Sequence, residues 1–99
     1  MLAELTVADF APLIGQRFRI AYPDYTENLT LMEAINSKIA PPHGQRHAFI
    51  LIFQGENPKI MLGQHIYTLH HRAFGQLDLV LSCIGRQPDG VFRYQAIFA

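Results

Sequence analysis

The sequence has no tryptophan, one cysteine, two lysines and no long apolar run, and each shortage excludes something. A lone Cys83 cannot close an intrachain disulfide, so the core must hold the fold, and this usage fits a reducing compartment. No stretch approaches the roughly 18–20 apolar residues of a spanning helix. The opening Met-Leu-Ala-Glu-Leu-Thr has neither a basic segment nor an apolar one, so no secretory signal is read there. Eight basic residues balance eight acidic ones. Lys38 and Lys59 stand alone and the arginines are scattered, which leaves no footprint for nucleic acid or an anionic membrane. The expected location is the cytoplasm, with a protein partner or self-association, and with no nucleic acid and no membrane.

What is present is apolar bulk. Apolar residues make up 49% of the 99, seven of them Phe and four Tyr, enough for one domain spanning 1–99 with a sizeable core. The richest stretch is Phe49-Ile-Leu-Ile-Phe53. In an extended chain, alternate side chains point to opposite sides. Phe49, Leu51 and Phe53 then line one face and Ile50 and Ile52 the other, so this strand needs cover on both.

The chain opens on a helix. Thr6 is placed to cap and Asp9 to reach back to it, and Val7, Phe10, Ala11 and Ile14 follow at helical spacing up to Gly15. Pro12 inside that span predicts a short helix, or one that ends near Ala11 and tightens into a 3₁₀ turn. From Gln16 the period is two. Phe18, Ile20 and Tyr22 alternate with Arg17, Arg19 and Ala21. Leu29, Leu31, Glu33 and Ile35 share one parity of a second strand running to about Ile39. A third strand covers 47–54, and Ile60-Met61-Leu62 reads as a short bridge. Tyr67, Leu69 and His71 share a face of the fourth strand. Leu77, Leu79, Leu81 and Cys83 form the apolar side of the fifth. After a turn at 85–90, Phe92, Tyr94, Ala96 and Phe98 form the sixth. The expected fold is mainly β: about six antiparallel strands in a meander, as a curved sheet or small barrel, with the short N-terminal helix packed on it or plugging an end.

The second half carries a recognisable pattern. It runs Phe49-Ile-Leu-Ile-Phe53-Gln-Gly55, Leu62-Gly-Gln64, Tyr67-Thr-Leu69-His-His71, Phe74-Gly75, Leu79-Val-Leu81, Ile84-Gly85, Gly90 and Tyr94-Gln-Ala96-Ile-Phe98. Phe10, Gly15 and Phe18 match an N-terminal part of the same pattern. The chain resembles the DUF6916-type family of small uncharacterised bacterial proteins. That resemblance implies no substrate, cofactor or catalytic residue, and hints at company with phage-tail-like or surface assemblies.

No catalytic motif emerges from the residues themselves. His65 and His71 share a face but stand about 20 Å apart along a strand, and His70 points the other way, so they cannot share an ion. His43 and His47 flank a Pro-Gly loop without a nearby Cys or acidic ligand. No metal and no cofactor is expected. Cys83, in mid-strand among leucines, reads as a small buried hydrophobe. Glu33, Tyr67 and His71 all fall on the core parity. They read as a small polar binding pocket, as a hydrogen-bonded network that fixes strand register, or, if the parity slips, with Glu33 in solvent.

The other clue is the surplus apolar face. Ile50, Ile52, Val80, Ile84 and Ile97 lie opposite the core parity. A helix of this length covers some of them, and longer side chains such as Met32, Met61 and Phe74 are the alternative cover; what stays exposed would be an interface. The leading expectation is therefore a non-enzymatic domain acting by protein contact, as an oligomer or as an accessory of a larger assembly. The runner-up is a small-molecule binder or minor enzyme built on Glu33, Tyr67 and His71.

Overall fold

Alternation turns the apolar segments into six antiparallel strands: β1 (Arg17–Ala21), β2 (Thr26–Asn36), β3 (Phe49–Gly55), β4 (His65–His71), β5 (Gly75–Arg86) and β6 (Phe92–Phe98). The structure is a computed structural model and describes residues 4–99. Residues 1–3, part of the stretch read for a secretory signal, lie outside the described residues. The strands close into a barrel in the order β1-β2-β3-β6-β5-β4. This corrects the simple meander. Two three-stranded meanders are joined where β3 pairs with β6 and where β1 meets β4 at Arg19↔His70. The segment 56–64 is longer than a tight hairpin needs. It crosses one end of the barrel, and β3 takes β6 as its second neighbour.

That choice gives β3 its cover. Phe49, Leu51 and Phe53 face inward opposite Phe98, Ala96 and Tyr94. On the outer side Ile52 is buried and Ile50 half-buried, so the outer face of the strand is covered at Ile52 and only in part at Ile50.

The parity of β2 does not run through. Leu31 pairs with Phe53, yet Glu33 pairs with Ile52, so Met32 is an extra residue in a β-bulge. A one-residue slip exchanges the faces of everything beyond it. Ala34 therefore packs against the core, while Glu33 and Ile35 turn outward and are exposed.

One end is plugged by the helix α1 (Val7–Phe10) and a following 3₁₀ turn at Ala11–Leu13, as Pro12 foretold. Asp9 Oδ2 accepts the Thr6 backbone N–H at 2.8 Å. Phe10 is fully buried, its ring 4.9 Å from Phe74, 5.6 Å from Phe98 and 5.9 Å from Phe49. Its partners are interior residues and Phe74, so Phe10 closes the barrel end and does not cover the outer isoleucines. Burying such a ring stabilises the fold by about 3 kcal/mol.

The opposite end is closed by the crossing segment. No bridge forms at 60–62; Leu62 is instead buried, and its N–H donates to the Tyr94 hydroxyl at 3.0 Å. The Tyr67 hydroxyl donates to the Gly63 carbonyl at 2.7 Å. Glu27, only 2% exposed, accepts from the N–H of Asn57 at 3.3 Å and of Asn28 at 2.9 Å. A side chain at Gly55 would put its Cβ 3.2 Å from Glu27 Oε2, so glycine makes room for this carboxylate.

Cys83 is exposed, contrary to the reading from its parity. β4 starts at His65 opposite Leu81, so Cys83 extends past the end of its neighbour and loses cover on that side.

Candidate interaction surface

The three polar residues singled out in the sequence do not converge. The bulge puts Glu33 on the outer wall, while Tyr67 faces the interior. His71 sits at the helix-plugged end, its ring stacked 4.5 Å from Phe18. Its Nδ1 accepts the Ala73 N–H at 3.0 Å, which leaves Nε2–H to donate to Gln16 Oε1 at 2.8 Å. Both ring nitrogens are therefore engaged within the fold. Burial, reinforced by the Arg72 charge, lowers the His71 pKa below the usual histidine value. Burial first, then Tyr25, raises that of Tyr67. Among the described residues, no three His, Cys, Asp or Glu side chains gather to hold a metal ion.

The outer wall is different. Across β2, β3 and β6 the register aligns Ile35, Ile50 and Ile97 in one row. Paired residues on neighbouring strands lie about 5 Å apart, so the three side chains form a continuous aliphatic surface. Ile35 is 47% exposed and Ile97 63%, with Ile50 half-buried between them. Ile66 and Val80, cross-strand partners on β4 and β5, are 60% and 51% exposed. Ser82↔Gln95 is the last β5–β6 pair in register on this side, and Val80 and Ile97 each lie two residues beyond it on the outer face, so the Ile66–Val80 pair sits on the same side of the wall as the row.

The row borders a groove. A depression of about 230 Å³ is lined by Ile35, Ala48, Phe49, Ile50 and Ile97. Through Ser37 and Ala48 it meets a second, of about 280 Å³, walled by Ile39, Pro41 and Pro42. The loop that forms this rim is pinned. The Ser37 N–H donates to the Ala48 carbonyl at 2.7 Å. The Arg46 guanidinium lies 5.5 Å from the Phe49 ring and 5.7 Å from the Phe98 ring, and donates to the carbonyls of Leu5 and Ala99.

Of the five residues read as an interface, Ile50, Val80 and Ile97 lie in this band. Ile84 is exposed farther along β5, beside the irregularity between Cys83 and Gly85. Ile52 is 8% exposed between Glu33 and Gln95, and offers no surface. Ile35 and Ile66 were missed. The bulge hides the first from any parity rule, whereas the second shares its face with Thr68 and His70 and was open to a parity reading. Of the alternative cover, Met61 is itself exposed and Phe74 packs inward, while Met32 is half-buried in the bulge next to the Glu33↔Ile52 pair.

A family model described as Domain of unknown function (DUF6916) matches residues 5–98. The chain belongs to the DUF6916 family. No curated protein and no solved structure matches it. In this DUF6916 domain the match takes in all six strands and the helix, so the apolar band and its pinned loop lie inside the family's span. Among the described residues, no helix of the DUF6916 domain is long and apolar enough to cross a membrane.

Proposed function

We propose that this DUF6916 domain is a non-enzymatic β-barrel that works by protein contact through the Ile35–Ile50–Ile97 row and the groove beside it. The observation that carries this is an aliphatic band in register over three strands, edged by a loop that Arg46 holds in place. Branched aliphatic side chains on a firm sheet lose little freedom on contact, and each fully covered isoleucine contributes about 1.5–3 kcal/mol. The row carries no charge, so a second copy can meet it without desolvating an ion. The occupant of this face is a second copy of the chain; an accessory place in a larger assembly would use the same band. The balanced charge and single cysteine support a cytoplasmic setting.

Ile97→Glu is the deciding variant, since Ile97 points outward and the core does not need it; Ile52→Glu would instead bury a charge. Light scattering should show the wild type heavier than its 11.2 kDa monomer at high concentration and Ile97→Glu monomeric with unchanged circular dichroism. A strictly monomeric wild type would count against this reading.

A further inference from the structure

Closure of the barrel gathers cations that the sequence leaves apart. Arg17 and Arg19 are exposed on β1, Arg72 directly follows β4, and His70 is the cross-strand partner of Arg19. Arg19↔His70 is the one pair registered between β1 and β4 among the described residues. The wall is thinnest here. An open groove of about 310 Å³ lies at this seam, lined by Arg19, His70, His71, Arg72 and Gly75.

Like charges brought together on a neutral protein repel unless something answers them. The described carboxylates near the seam leave Arg19 and Arg72 unpaired. Glu56 pairs with Arg17 at 2.7 Å, and Asp78 accepts the Thr68 hydroxyl at 2.6 Å. Among the described residues, no carboxylate comes within ion-pair distance of Arg19 or Arg72. The backbone beneath is fixed, because Arg72 stands between His71 and Ala73, which are bonded to each other. Gly75, at φ +74°, adds no side chain to the groove, and nothing lies within 4 Å of where its Cβ would be.

We propose that this groove binds a phosphoryl group, held by the guanidinium groups of Arg19 and Arg72 with His70 as a further donor. Guanidinium forks match phosphate oxygens in pairs, and such charge-assisted bonds are the strong ones. The site suits the phosphate of a small solute rather than a polyanion. Moving along β4 and β5, the rows pass from His70↔Gln76 to Thr68↔Asp78 and then Ile66↔Val80, so the basic ground ends at a carboxylate and an apolar pair.

The test is a ¹⁵N-edited NMR titration of the whole chain with inorganic phosphate, against chloride at equal ionic strength. Wild type is compared with the R19Q/R72Q variant, whose fold is checked by thermal melting. The expected result is saturable shifts at Arg19, His70, Arg72 and Gly75, with affinity falling about tenfold or more in the variant. Shifts that grow linearly, that chloride reproduces, or that survive in the variant would overturn the proposal. So would binding to anionic vesicles or an oligonucleotide with no response to phosphate.

Discussion

Where Phe10 enters the barrel the end is filled with rings, whereas at the far end Glu27 and Tyr94 accept hydrogen bonds from the crossing segment and Tyr67 donates one to it. Apolar closure is non-directional and rests on area and fit. Polar closure is directional, and each buried donor or acceptor left unmatched carries its full desolvation cost. Among the described residues no buried side-chain nitrogen or oxygen lacks a partner. The interior polar groups are thus committed to structure, which directs attention to the outer surface.

Substitutions can break this contrast. The largest effect is expected for Phe10→Ala, a loss of about 3–5 kcal/mol in urea unfolding, because a fully buried ring leaves a cavity at the plugged end. A loss under about 1 kcal/mol would mean that the rings do not close this end. Tyr94→Phe removes the acceptor for the buried Leu62 N–H and should cost about 1–3 kcal/mol. It should also speed hydrogen exchange at Leu62 while leaving the Phe10 end protected; equal loosening at both ends would show them to be one unit.

A smaller effect is expected from pH. The lowered folded-state pKa of His71 means that the fold favours the neutral ring. Its stabilising contribution is whole above the unfolded value of about 6.5 and is lost as pH falls from there through the lowered folded value. Protonation at Nδ1 would also displace the Ala73 N–H. Unfolding curves taken at stepped pH should show this slope in the wild type and a flatter one in His71→Gln. The smallest change belongs to Glu33→Ala, within about 0.5 kcal/mol, set against Glu27→Ala on the same strand at about 1–3 kcal/mol. Equal costs would mean that the bulge does not separate the two carboxylates.

Those two glutamates mark how far the sequence could be read. Period-two alternation was enough for six strands and most of the interior, and Pro12 for the helix that becomes a 3₁₀ turn. Parity counting assumes an unbroken ladder, so Met32 reversed the placement of Glu33 and Ile35. Glu27 shares the buried parity of Leu29 and Leu31 and escapes notice only when the strand is started at Leu29, while Gly55 and Asn57 accommodate its carboxylate. The crossing itself was not legible: nothing in 56–64 says that β3 prefers β6 to β4. Cys83 went wrong for a related reason, since its exposure is set by where β4 begins. The outer band was legible in part, at Ile50, Val80 and Ile97. The cationic seam was not, because it exists only once β1 meets β4.

The most direct test of contact through the outer wall is a dilution series followed by isoleucine methyl NMR. The δ1-methyls of Ile35, Ile50 and Ile97 should shift together with concentration, while that of Ile20, buried inside the barrel, stays fixed. Wall methyls that hold still across the series, or an Ile20 signal that moves with them, would contradict it.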